Sequence, residues 1–192
     1  MSPGRSRAGV GAPSGRHAQA SPTVAQILRQ GDHGLGELDD GGGDFVVVRG
    51  HCFALRPDSS AVQADRRARA TVAAVTRFRP DHRIAVRRPH SLTQLLPQIE
   101  IALADDEAAA AVRIDAWFSF VRVHAEPPRE FSDVVGTIVG LRNADVDADA
   151  SSGGLRLHFI DETRQVGGRV ADFEVLRAQA ELARVAPVAP RA

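Results

Sequence analysis

The stretch Gly154-Leu155-Arg156-Leu157-His158-Phe159-Ile160-Asp161, followed after a short polar turn by Gly167-Gly168-Arg169-Val170-Ala171-Asp172-Phe173, decides the fold. Leu155, Leu157 and Phe159 alternate with Arg156, His158 and Ile160, the period of a strand with one apolar face. Arg156 and His158 therefore point the same way. A turn through Asp161-Glu162 and the glycine pair let a last strand, expected over 170–175, fold back so that Arg169 joins them. Three histidines placed like this would form a metal site with an open position for substrate. Two of the three are arginine, whose guanidinium is permanently charged and has no lone pair to give a metal.

Working outward, Val112, Ile114, Ala116, Phe118 and Phe120 alternate with Arg113, Asp115, Trp117 and Ser119, a half-buried strand. Trp117, on the polar-alternating face, is expected to cover a second layer or a subunit contact. Residues 134–141 read as a further strand. Ser91 caps a helix whose Leu92, Leu95, Leu96, Ile99 and Leu103 share one face despite Pro97. Strands over 70–78 and 83–86 flank the turn Arg79-Pro80-Asp81, and 45–48 with 52–55 form a hairpin about Arg49-Gly50. Ser21 and Pro22 supply an N-cap and first-turn proline for a short helix carrying Val24, Ile27 and Leu28. Between that helix and the hairpin lie Gly31-Asp32-His33-Gly34-Leu35-Gly36 and an acidic, glycine-rich stretch ending at Asp44. Strands and helices intermix without a regular βαβ repeat, which predicts a mixed or antiparallel sheet, α+β in character.

Composition narrows the class. The 192 residues are 43% apolar, enough for one compact unit or two small halves sharing a core. All 24 basic residues are arginine, balanced by 24 acidic ones, and this zero net charge argues against a nucleic-acid partner. Residues 1–20, rich in Gly, Pro, Ser, Ala and Arg, read as a disordered arm rather than a secretory signal. No apolar run is long enough to span a bilayer, so a cytoplasmic protein is expected. Cys52, the single cysteine, reads as a buried strand residue rather than a nucleophile. His33, His51 and His124 read as surface or hydrogen-bonded histidines rather than metal ligands. Gly34-x-Gly36 follows a helix and precedes strands, the reverse of a dinucleotide loop, and without lysine there is no P-loop.

The ordered motifs resemble the acetolactate decarboxylase family. That family carries G-T-I-V-G-F, then G-Y-H-L-H-F, then G-G-H-V-L-D-F; the chain has Gly136-Thr137-Ile138-Val139-Gly140-Leu141, Gly154-Leu155-Arg156-Leu157-His158-Phe159 and Gly167-Gly168-Arg169-Val170-Ala171-Asp172-Phe173. The family's H-G-D-F-G-L-G-T-F is similar to Gln30-Gly31-Asp32-His33-Gly34-Leu35-Gly36-Glu37-Leu38. The resemblance implies an α+β fold in which a mixed sheet is joined to a smaller antiparallel carboxy-terminal part. The domain would run over 21–192, with halves at roughly 21–110 and 111–192. It implies a carboxy-lyase converting 2-acetolactate to acetoin and carbon dioxide in acetoin biosynthesis, with zinc held by three histidines, and a homodimer.

Carried over residue by residue, His158 falls on one zinc-ligand position while Arg156 and Arg169 fall on the other two. The family's catalytic glutamate corresponds to Asp44, one methylene shorter. A family arginine corresponds to His124, and a threonine to Glu37. A second family glutamate, placed further towards the carboxy terminus, has no obvious counterpart. The resulting expectation is a degenerate zinc site, with zinc absent or weakly bound, catalytic positions Asp44, His124 and Glu37, and ligand-binding residues Arg156 and Arg169. Three functional readings follow. One is a weakened decarboxylase. The second is a non-catalytic homologue binding a small carboxylate or phosphate. The third is a scaffold partner of an intact paralogue. Read without the resemblance, Arg156, His158 and Arg169 could equally be a solvated sheet face paired with Asp161, Glu162 or Asp44.

Overall fold

A computed structural model of the chain describes residues 21–39, 41–103, 109–142 and 154–185. The proposed amino-terminal arm lies outside these residues. The chain opens on helix α1 (Val24–Gln30), whose cap is Thr23 rather than Ser21: its side chain accepts from the Gln26 amide, and the Gln26 side chain returns to the Thr23 amide. Two layers of strands follow. The first sheet contains β1 (His33–Leu38), β2 (Asp44–Val48), β3 (His51–Leu55), β4 (Ala61–Gln63) and β5 (Ala70–Thr76), in the order β4-β3-β2-β1-β5.

The second sheet holds β6 (His82–Val86), β8 (Ala110–His124), β9 (Arg129–Arg142), β10 (Leu155–Asp161) and β11 (Gly167–Arg184), with the two-residue β7 (His90–Ser91) alongside β11. Its order is β10-β9-β8-β11-β6, and β10 also pairs with β11, so four strands close into a small ring. Helix α2 (Leu92–Leu103) lays Leu92, Leu95, Leu96, Ile99 and Leu103 into the core of this sheet, where Phe118, Phe159 and Phe173 meet edge to face.

The class expected from the sequence is met, with a predominance of strand over helix. In detail, every strand pairing among the described residues is antiparallel, the second of the two alternatives left open by the pattern. The carboxy-terminal sheet is also the larger of the two, because β8, β9 and β11 are long. The strands flanking Arg79-Pro80-Asp81 do not pair with each other: β5 edges the first sheet, while β6 crosses to β11 in the second.

The sheets are joined by an apolar layer. Leu35, Val46, Val48, Leu55 and Ala61 from the first pack against Val139 and Ile160 from the second. The opposite face of the first sheet, with Phe45, Val47 and Cys52, is covered by Val24 and Ile27 of α1. Cys52 is buried there as expected, and burial pushes its thiol up to about 12, which leaves it unreactive. His33 is a correction: it is 1% exposed and stacked on Phe78, with ring centroids 4.5 Å apart. Burial pushes its pKa down to about 4. Trp117 covers no second layer among the described residues; it is 46% exposed and donates its indole N–H to Asp133 at 2.6 Å. No described helix is long and apolar enough to cross a membrane.

Candidate functional site

The motif residues converge where the apolar layer between the sheets gives way to charge. His158 and Arg169 are direct partners across β10 and β11, and Arg169 is the direct partner of His124 on β8. Directly opposed residues of an antiparallel ladder share a face, so these three stand in a row across the ring. Arg156 joins them two residues before His158. This face looks towards the first sheet, as Val139 and Ile160 on it show. Opposite stand two carboxylates, Glu37 and Asp44, themselves cross-strand partners on β1 and β2.

Glycines make the approach possible. A Cβ at Gly167 would collide with the Phe159 carbonyl, and one at Gly168 would lie 3.0 Å from the Val123 side chain. Only residues without a side chain allow β11 to lie close enough to β10 for Arg169 to reach the row.

Contacts across the gap are specific. The Arg156 Nη2 donates to Glu37 Oε1 at 2.9 Å and to Asp44 Oδ1 at 3.5 Å. The His158 Nε2 meets Asp44 Oδ2 at 2.9 Å. Burial alone would raise the Asp44 carboxyl; the hydrogen bond from His158 and the charges of Arg156 and Arg169 outweigh it and hold Asp44 below the usual carboxylate range. Burial, helped by the two arginines and opposed by Asp44, lowers the pKa of His158 as well and keeps its ring neutral. Nε2–H is then the donor to an ionised Asp44. The other ring nitrogen, Nδ1, is buried without a hydrogen-bond partner among the described residues. Two guanidinium cations thus face two carboxylate anions around a neutral imidazole.

The site residues expected from the sequence fall together as follows. Glu37, Asp44, Arg156 and His158 form one connected network, and Arg169 acts on it through its charge. His124 stands at the exposed end of the row, beside Arg169 but outside the hydrogen-bonded network. The alternative of a solvated face fails at His158, which has no exposed surface, while of the partners that reading named, Asp161, Glu162 or Asp44, the one found is Asp44. Asp161 instead ties the following turn, accepting from the amides of Thr163, Gln165 and Val166.

These residues do not fit a divalent ion. Among the described residues no three His, Cys, Asp or Glu side chains are grouped to hold one. The lone imidazole of the set already gives Nε2 to Asp44, and both Asp44 oxygens are engaged by His158 and Arg156. An added dication would also meet two fixed positive charges.

Two packed antiparallel sheets with this motif row between them define a small α+β class, and comparison gives the family. The model of the family "Alpha-acetolactate decarboxylase" matches residues 14–190, and the chain belongs to that family. The alpha-acetolactate decarboxylase of Methanosarcina mazei is 27% identical, over 83% of this chain and 61% of the relative. That of Raoultella terrigena is 29% identical, over 82% of this chain and 67% of the relative. The chain thus spans about two thirds of the length of these curated relatives. The crystal structure of alpha-acetolactate decarboxylase from Bacillus subtilis superposes with a TM-score of 0.75 at 24% identity, covering 87% of this chain and 79% of that one. A Staphylococcus aureus protein of unknown function, described as similar to alpha-acetolactate decarboxylase, gives 0.76 at 21% identity, with the same coverage of both chains. Both likenesses bear on the fold alone.

Proposed function

We propose that this chain is a metal-independent member of the family that binds a small carboxylate, the acid group of a 2-hydroxy-3-oxo acid of the acetolactate class, without the turnover of zinc-bearing members. One observation carries the reading: guanidinium groups occupy two of the three motif positions at which imidazoles would be needed, and they are already balanced by Glu37 and Asp44. Arg156 supplies the recognition. Its side chain is 17% exposed and already turned to carboxylates through Nη2, so an incoming acid meets a guanidinium largely withdrawn from water.

Decarboxylation of such an acid sends an electron pair into the neighbouring ketone, and the enediolate that forms needs an electrophile at its oxygens. An arginine that grips the carboxylate stabilises substrate and transition state alike, which does not raise the chemical rate. A second reading, slow metal-free carboxy-lyase activity, is favoured by the Asp44–His158 pair, whose ring N–H and carboxylate are suited to moving a proton. Acetoin release from racemic 2-acetolactate, with and without added zinc, separates the two. The binding reading expects a rate at least about a thousandfold below a three-histidine member, the usual scale of losing such a stabiliser. It also expects calorimetric binding of 2-hydroxyisobutyrate, lost in Arg156→Gln. Rapid acetoin formation, or no binding of the acid, contradicts it. The proposed solution state is a homodimer, checked by light scattering for twice the chain mass.

A further inference from the structure

Of the two carboxylates that balance the arginines, one is anchored and one is not. Asp44 is held from two sides, by His158 at 2.9 Å and Arg156 at 3.5 Å, and its side chain is 28% exposed. Glu37 has a single polar side-chain contact among the described residues, the 2.9 Å bond to Arg156, and its side chain is 46% exposed. It stands where the pairing of β1 with β5 shifts register, between Glu37 and Leu38. A half-exposed carboxylate on a flexible stem loses little when it leaves one cation for water, because such pairs contribute at most about 1 kcal/mol. The guanidinium it would leave behind is only 17% exposed and cannot be rehydrated as fully.

We propose that Glu37 is a built-in competitor for the carboxylate of the ligand: it occupies Arg156 in the free protein and is displaced when an incoming acid takes its place. The inference rests on the carboxylate-binding reading above and adds a specificity-determining residue to it. Charge sets the direction. With Glu37 present, Arg156 is held by two carboxylates, Glu37 at 2.9 Å and Asp44 at 3.5 Å. Without its charge, Arg156 keeps the longer 3.5 Å contact with Asp44 among the described residues, and an anion is drawn in by the attraction that Glu37 now satisfies. Ligands that cannot replace a carboxylate leave Arg156 with its own counterion. Neutral analogues are therefore excluded by the protein's own acid rather than by shape.

Calorimetric titration of the full chain with 2-hydroxyisobutyrate and with its uncharged amide tests the inference. Glu37→Gln is expected to bind the acid on the order of fivefold more tightly than wild type, the ratio corresponding to release of one partly exposed ion pair. The amide is expected to gain nothing. Glu37→Thr, short, neutral and suited to a strand, is expected to behave like Glu37→Gln, so misfolding of one variant leaves the other to decide. Glu100→Gln, on α2, controls for the change in net charge and is expected to leave the affinity unchanged. Wild-type binding of the acid with no tightening in either Glu37 variant overturns the competitor role while leaving the carboxylate site in place. Equal tightening for acid and amide overturns it too, since Glu37 would then be an obstacle rather than a counterion. Absence of acid binding in wild type and in both variants overturns both proposals together.

Discussion

Asp44 begins β2 and meets two partners that come from the other sheet, so its carboxylate joins layers that local sequence cannot connect. Replacing it by alanine removes the carboxylate partner of the fully buried His158 and leaves Arg156 with Glu37 in place of two carboxylates. Removing one partner of a buried charge pair typically costs about 3–5 kcal/mol, and Asp44→Ala is expected to fall near the lower end because its side chain is 28% exposed. Urea unfolding measures the loss; a cost below about 1 kcal/mol contradicts the network. Much of this residue set was legible beforehand. The alternation around His158 and the glycine pair placed Arg156, His158 and Arg169 together, and the family resemblance implied Glu37, Asp44 and His124 beside them. Who pairs with whom was not legible, because the Arg156–Glu37 contact spans 119 positions and depends on how two sheets face each other.

At the scale of elements, the glycine-rich segment after α1 carries no strand signal in sequence, since glycine is depleted in strands. It is β1, central enough to pair on both sides, and its glycines serve close approach: a Cβ at Gly36 would collide with the β5 backbone and the Phe45 ring. The last strand reads short because its alternation breaks at three register shifts between Val170 and Arg177, yet it continues to Arg184 along β8. The tiny β4 and β7 carry no periodic signal at all. Where strands must lie close, added volume should tell. Gly167→Ala pushes a methyl into the Phe159 carbonyl and displaces the start of β11, with a cost of roughly 1–3 kcal/mol expected from thermal unfolding. The same variant is expected to weaken carboxylate binding, since Arg169 moves with it; unchanged stability and binding would show that β11 does not need the glycine.

On the scale of the whole molecule, acid is expected to separate the layers. His33 titrates near 4 rather than 6.5 in the folded protein, and His158 and Asp44 are also shifted downward. The unfolded chain therefore binds more protons, and stability rises with pH through this range. The His33 contribution is present above 6.5, declines as pH falls from 6.5 to about 4, and amounts to on the order of 3 kcal/mol. His33→Phe keeps the stack on Phe78 and removes the titrating ring, so the slope of stability between pH 6.5 and 4 is expected to flatten in this variant. An identical slope in wild type and variant would contradict the buried, neutral state of His33.

The two sheets are held together at the site by guanidinium–carboxylate pairs in the place where the family resemblance implies imidazoles around a cation. Zinc content after dialysis, measured by mass spectrometry on wild type and on the double variant Arg156→His with Arg169→His, tests that exchange most directly. Wild type is expected to retain well under one equivalent and the double variant close to one. Stoichiometric zinc in wild type, or none in the double variant, would contradict it.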